Sequence, residues 1–312
     1  MKQFIISLLV IFFTFQLQSC QTTANQSLKS HTVRSYGWQT HQISGHNHQD
    51  NSTLLRVAFL GDSEPKPCAE FPHTLAAVQH INTLNSNQKV DFVIGIGDVA
   101  HKGTEIQYEE ATEVFQQLQV PYFPIMGNEE HGSTVNRYME FAQQWNKNLK
   151  SPNHILNHEK LAFVLASPDY SRDFDNKSVR NLAREMQKLD SKPVILIVHS
   201  AQKGVYSERA DKGIGNELFN TSIITQPNLA AVISGDLHMD LDRTHHSKEI
   251  NGVHYMHIPA LERTKIPDEN QHSPMIRILT VDKSGNATME TFHTGNFTPI
   301  SKHHYSFKLQ PF

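Results

Sequence analysis

Acidic, amide and imidazole side chains gather in five short clusters along the chain. They are Asp62 with Glu64, Gly97-Asp98, the run Gly127-Asn128-Glu129-Glu130, His199, and Gly235-Asp236 with His238. Their oxygen and nitrogen atoms are donors suited to divalent cations. Alternate residues of an extended segment point the same way. Asp62 with Glu64, and Asp236 with His238, can therefore each face one site. Asp98 follows the apolar run Phe92, Val93, Ile94 and Ile96, in which Gly95 and Gly97 thin the backbone. An aspartate at the end of a buried strand is costly unless a cation or a donor meets it. Asp98 is the first candidate for a ligand that bridges metals.

Each cluster follows a predicted strand. Residues 54–60 deliver Asp62, and the strand that begins at Asp91 delivers Asp98. Residues 120–125 end before Asn128, 193–198 before His199, and 229–233 before Asp236. In an open α/β sheet, ligands bind outside the carboxyl ends of the strands. Residues 161–165 read as another strand, while 73–84, 105–118, 135–145 and 179–189 have helical spacing. The stretches 253–258, 275–281 and 287–293 read as antiparallel strands. Strand–helix alternation followed by a β-rich end predicts an α/β sandwich of mixed sheets. No internal repeat is visible.

The chain has 312 residues and a formal charge of -3. That suits one large domain or two small ones. The near-neutral balance and the lack of basic runs give no support for a nucleic-acid partner. At the N-terminus, Lys2 precedes an apolar run over 4–15, too short to span a bilayer comfortably, which reads as an export signal. It ends Leu17-Gln18-Ser19-Cys20, which resembles the lipobox of bacterial lipoproteins, with Cys20 as the lipid acceptor. The expected segments are a signal peptide over 1–19, a flexible tether over 20–52 and a single domain over 53–312. Cys20 and Cys68 are the only cysteines, so a lipidated Cys20 leaves Cys68 unpaired. Export with a lipid anchor predicts a cell-envelope location, in the outer membrane or facing the periplasm of a Gram-negative cell. Gly45-His46-Asn47-His48 spells a metal-like motif, but it falls in the expected tether and receives no catalytic role.

The order and spacing of the five clusters resemble the calcineurin-like metallophosphoesterase family. Its pattern is Asp-x-His, Gly-Asp, Gly-Asn-His-Asp/Glu, a lone His, and Gly-His-x-His. Further likeness comes from Gly97-Asp98 with Gly103, from Pro124 to Asn128, and from the stretch Val253 to Leu261. The resemblance covers roughly 54–293 and implies a four-layer α/β/β/α sandwich of two mixed β-sheets. It implies two divalent ions, one held by Asp62, Glu64, Asp98 and His238 and the other by Asp98, Asn128, His199 and Asp236. It also implies hydrolysis of a phosphomonoester or phosphodiester through a metal-bridging hydroxide.

Three positions depart from that pattern. Glu64, Glu129 and Asp236 stand where the family has histidines. Glu129 takes the place of the residue that helps protonate the leaving group, and His131 is the other candidate for that role. Four carboxylates (Asp62, Glu64, Asp98 and Asp236) would cancel the charge of two dications, which favours Mn²⁺ or Mg²⁺ over Zn²⁺ or Fe and a singly charged diester over a monoester. Lys102 and Lys203 follow Asp98 and His199 in sequence but read as solvated lysines, and His101 reads as a supporting or surface residue. Two other readings are open. One is a non-catalytic, metal-stabilised envelope lipoprotein of the same fold. The other starts from Gly61-Asp62-Ser63, which resembles the nucleophile block of SGNH esterases, with Asp242 and His245 as partners; it gives the remaining clusters no role.

Overall fold

A computed structural model describes residues 31–310 and 312, apart from 47, 67, 86–87, 242–245, 267–269 and 271. The expected signal peptide and Cys20 lie outside the described residues. In chain order the first half contains β1 (Gln39–Gln42), β2 (Thr53–Leu60), α1 (Pro72–Thr83), β3 (Phe92–Gly95), α2 (Glu105–Phe115), β4 (Tyr122–Pro124) and α3 (Val135–Trp145). There follow β5 (His154–Asn157), β6 (Ala162–Ala166), α4 (Asn176–Gln187), β7 (Val194–Val198), α5 (Glu217–Ser222) and β8 (Leu229–Ser234). The chain closes with β9 (Ser247–Ile250), β10 (Val253–His257), β11 (Met275–Asp282), β12 (Asn286–His293) and β13 (Tyr305–Lys308).

These strands form a seven-stranded sheet in the order β1-β5-β6-β7-β8-β10-β9 and a six-stranded sheet in the order β13-β12-β11-β2-β3-β4. Both are mixed. The side-chain alternation of the seven-stranded sheet shows how the layers stack. Phe163, Leu165, Ile195, Ile197, Ala231 and Ile233 face a core shared with the other sheet and with α1, α2 and α3. Val164, Ala166, Val194, Leu196, Val198 and Val232 face a second core under α4 and α5. The result is the expected α/β/β/α sandwich. Strands buried on both faces read as continuous apolar runs, as β7 does.

Two expectations are corrected. The described residues of 33–52 are not a loose tether. Val33 is buried, and β1 pairs in parallel with β5, Gln39 opposite His154. The polar, half-exposed β1 joins the sheet through backbone hydrogen bonds, which require no apolar period. The motif in this segment is a clasp. His46 Nδ1 lies 2.5 Å and His48 Nε2 3.2 Å from the buried carboxylate of Asp91, which also accepts the N–H of Arg56 at 2.7 Å. Asp91 precedes β3, so this clasp sits at the opposite end of the strand from Asp98. A cleft of about 480 Å³ beside it is lined by His46, His48, His158 and Lys192 and by none of the candidate ligands. The second correction concerns β10. It was expected among antiparallel strands, but it runs parallel to β8 and antiparallel only to β9.

Two buried histidines make the fold sensitive to acid. Burial, with His41 alongside, pushes His154 down to about 3. Burial, with Arg277 alongside, does the same to His257. Both are neutral in the folded chain, whereas the unfolded chain takes up a proton at each below about pH 6.5. Each group therefore removes up to about 1.4 kcal/mol of stability per pH unit as pH falls from 6.5 towards 3. The contribution of each is read by substitution: between pH 7 and pH 5 the melting temperature of metal-free His154→Asn is expected to fall less, or rise more, than that of the parent. An identical pH dependence in the two proteins would contradict a neutral, buried His154.

Candidate metal centre

The carboxyl ends of five strands converge between the two sheets. Asp62 follows β2, Asp98 follows β3 and Asn128 follows β4, all in the six-stranded sheet. His199 follows β7, and Asp236 with His238 follows β8, in the seven-stranded sheet. Four of these residues have left-handed backbones, with φ of 30° at Asp62, 50° at Asp98, 71° at Asp236 and 48° at His238. Such conformations cost of order 1–3 kcal/mol each and persist where the surroundings impose them. The backbones also approach closely. A Cβ added at Gly127 would lie 2.3 Å from Asp98 Oδ1 and 2.8 Å from His199 Cε1.

Ligand atoms of Asp62, Asp98 and His238 lie within 4.8 Å of one another, and so do those of Asp98, His199 and Asp236. Asp98 belongs to both groups. Hydrogen bonding fixes which nitrogen each histidine presents. His199 Nδ1 donates to Ile96 O at 2.8 Å, and His238 Nδ1 donates to Arg263 O at 2.8 Å. Each Nε2 is thereby aimed at acceptors. Around His199 Nε2 these are Asn128 Oδ1 at 3.2 Å, Asp98 Oδ1 at 3.4 Å and Asp236 Oδ1 at 3.6 Å. Around His238 Nε2 they are Glu64 Oε1 at 3.5 Å and Asp62 Oδ1 at 3.9 Å. Among the described residues the buried His238 Nε2 has no hydrogen-bond partner. The His238 lone pair and the carboxylates it faces repel unless a cation lies between them, and at His199 Nε2 either a proton or a metal ion can fill that place. Both groups of donors therefore fit a divalent ion.

The electrostatics lead to the same place. Burial lowers the basicity of His199, yet Asp98 and Asp236 outweigh it and hold the imidazole well above the ordinary histidine range. Positive charge is favoured at that point. Burial, with Lys265 nearby, pushes His238 down to about 3, which leaves its Nε2 lone pair available. Asp62 is pushed well above the carboxylate range by burial, with Asp98 and Asp236 adding to the shift. A bound cation would relieve that crowding.

The sequence pattern of calcineurin-like phosphoesterases matches residues 55–240, more than half of the 312-residue chain. The chain belongs to that family. It is 27% identical over 173 residues to a probable glycerophosphodiester phosphodiesterase of Arcobacter nitrofigilis, a match that spans 52% of this chain and 60% of that protein, less than two thirds of the relative's length. Among solved structures it resembles a dimetal phosphatase from Danio rerio, with a TM-score of 0.60 at 10% identity over 83% of this chain and 100% of that one. It also resembles a purple acid phosphatase from yellow lupin seeds, with a TM-score of 0.54 at 15% identity over 82% of this chain and 54% of that one. At these identities the likeness concerns the fold.

Within the family's scaffold, the three departures acquire partners. Arg172 Nε donates to Asp236 Oδ1 at 2.8 Å and to Oδ2 at 2.7 Å, and Ser200 Oγ donates to Oδ2 at 2.7 Å. Burial pushes Asp236 up, but His199 and Arg172 overcome it and hold the carboxyl far below the ordinary range. Arg263 Nη2 donates to Glu64 Oε1 at 2.9 Å. Burial lowers the Lys265 ammonium, which is close enough to Asp62, Glu64 and Asp98 to be held up by all three. Glu129 meets His101, whose Nδ1 lies 2.8 Å from Glu129 Oε2 and 3.0 Å from Glu64 Oε2. Glu64, His101 and Glu129 form a third group of potential ligands.

Of the residues singled out in the sequence, Asp62, Glu64, Asp98, Asn128, His199, Asp236 and His238 come together. Glu129 reaches them through His101. His131 does not: its Nε2 pairs with Pro168 O at 3.0 Å, and it belongs to none of the three groups. Glu130 carries the loops rather than a ligand role, accepting four backbone N–H groups. Ser63 is buried, and among the described residues no histidine pairs with its hydroxyl. The positions 242–245 that hold its expected partners lie outside them. Lys102 and Lys203 are exposed. Arg172, Arg263 and Lys265 were not anticipated. Arg172 sits in a turn after β6 that carries no motif. Arg263 and Lys265 follow the Leu261 stretch and could have been noticed there.

Proposed function

We propose that the chain hydrolyses a phosphoester, monoester or diester, using two divalent ions. The reading rests above all on two histidine Nε2 atoms aimed into carboxylate groups that share Asp98. Asp62, Glu64, Asp98 and His238 would hold one ion. Asp98, Asn128, His199 and Asp236 would hold the other. The ions would supply an acidified water and neutralise phosphoryl oxygens. The oxygen-rich donor set favours Mn²⁺ or Mg²⁺. The carbonyls of Ile96 and Arg263 keep the imidazoles turned towards the ions. His101 Nδ1 lies 2.8 Å from Glu129 Oε2 beside the site, and this pair would be placed to hand a proton to a leaving group.

The test is an assay of the metal-stripped protein on a monoester and a diester of p-nitrophenol, with single divalent ions restored in turn. Turnover is expected with Mn²⁺ or Mg²⁺ and not without metal. Metal that raises the melting temperature without turnover on any phosphoester would favour the non-catalytic, metal-stabilised reading suggested by the three replaced histidines. Location belongs to the same proposal. The segment ending in Cys20 supports export and lipid attachment, which would place phosphoester hydrolysis at the cell envelope. Among the described residues no helix is long and apolar enough to cross a membrane. Mass spectrometry of the native N-terminus, looking for a diacylglyceryl group on Cys20, tests that part.

A further inference from the structure

Two ligand positions that hold neutral histidines in the family pattern hold carboxylates here, and each carboxylate contacts an arginine. Asp236 accepts from Arg172, and Glu64 accepts from Arg263. An imidazole is a neutral ligand, and a carboxylate plus a guanidinium is also neutral as a set. We propose that each arginine–carboxylate pair replaces one histidine, so that the centre keeps the net charge of a histidine-ligated site and receives a phosphate dianion. This rests on the phosphoesterase reading.

The charges around the site carry the argument. Four carboxylates (Asp62, Glu64, Asp98 and Asp236) would alone cancel two dications and leave nothing to attract a phosphate. Arg172, Arg263 and Lys265 stand against those carboxylates. With both ions bound, the set keeps a formal excess of three positive charges, which Glu129 at the rim reduces to two. The preference for a diester over a monoester expected from the carboxylate count is thereby removed. Geometry adds to charge. Both Arg172 contacts to Asp236 are made by Nε, and no other hydrogen bond of its guanidinium is formed among the described residues. The side chain is partly exposed, at 26%, so its terminal N–H groups remain available to an incoming phosphoryl oxygen. Arg172 is thus a positioning and charge-setting residue. A buried ligand carboxylate held by a second residue is oriented as well as neutralised.

A double-substitution cycle tests this on the full chain, with Mn²⁺ and inorganic phosphate as probes and calorimetric titration as the readout. Arg172→Met leaves Asp236 uncompensated. It is expected to tighten Mn²⁺ binding about tenfold and to weaken phosphate binding to the Mn²⁺-loaded protein about tenfold. Asp236→His leaves Arg172 beside a cation with no carboxylate between them, and Mn²⁺ affinity should fall about tenfold. The double variant restores the family arrangement, and both affinities should return to within about threefold of the parent. The cycle Arg263→Met with Glu64→His should behave alike and serves if the first pair fails to fold. A double variant whose Mn²⁺ or phosphate affinity stays about tenfold away from the parent, or unchanged affinities in Arg172→Met, would overturn the proposal. Neither probe requires turnover. Restored affinities in the double variant of a protein that hydrolyses no phosphoester would sink the proposed function and leave the compensation standing. Turnover without that restoration would do the opposite.

Discussion

Asp98→Asn is expected to abolish turnover, with a loss of at least about a thousandfold, and to reduce Mn²⁺ stoichiometry from two ions to at most one. Asp98 is the only residue common to both groups of donors. The substitution is close to isosteric. Asn tolerates the left-handed φ of 50°, and its amide oxygen can still accept the Glu129 N–H, which is 2.8 Å from Asp98 Oδ1. The fold should therefore survive. Burial pushes the Asp98 carboxyl up, but His199 beside it and the Glu129 N–H hold it below the ordinary range. Its negative charge is thus held in place for a cation. Removing that charge loses its pairing with His199 in the metal-free protein and weakens the metal-bound one further. The melting temperature without metal should fall modestly, and the increase on adding Mn²⁺ should shrink. Two bound ions and parental turnover in this variant would show that Asp98 does not bridge.

What could be read from sequence divides along physical lines. Strands buried on both faces, such as β7 and β8, are continuous apolar runs and were placed within a residue or two. The strands that were missed are β1, β5, β9 and β13, all but β5 at the edge of a sheet. An edge strand is held by a ladder on one side, and these edge strands are short and mostly polar, with alternation between half-buried and exposed side chains rather than between apolar and polar ones. The ligands were legible because each lies within a few residues of its strand end, so that local spacing encodes local geometry. The arginines were not. Arg172 meets Asp236 across 64 positions and Arg263 meets Glu64 across 199. Their role exists only once β6, β8 and the segment after β10 are packed beside one another. The net charge of the site was out of reach for the same reason. Carboxylates could be counted from motifs, while the cations opposing them belonged to no motif. His101 shows a milder form of this: one loop brings it to Glu64 and another to Glu129.

Glu130→Ala is expected to be the most damaging single substitution outside the ligands. The carboxylate is fully buried. Its Oε1 accepts the N–H of Val99 at 2.8 Å and of Ala100 at 3.0 Å, and its Oε2 accepts the N–H of Asp98 at 2.9 Å and of Gly127 at 2.6 Å. One side chain thereby ties the loop after β3 to the loop after β4, which places Asp98 against Asn128. Burial and the charge of Asp98 push this carboxyl up to about 7, and the N–H groups favour its ionised form. Truncation strands four buried donors at roughly 1–3 kcal/mol each. The sum, of order 4 kcal/mol or more, is a large part of the 5–15 kcal/mol typical of a folded protein. Glu130→Gln should also be harmful, because its amide nitrogen would confront two N–H groups where an oxygen now accepts them. Thermal melts of the metal-free protein are expected to show a decrease of about 10 °C or more for Glu130→Ala, with a smaller decrease for Glu130→Gln. Mn²⁺ affinity should fall in both, because the loops that carry Asp98 and Asn128 lose their common anchor. A Glu130→Ala protein that melts within about 3 °C of the parent would show that the two loops are held by something other than this carboxylate.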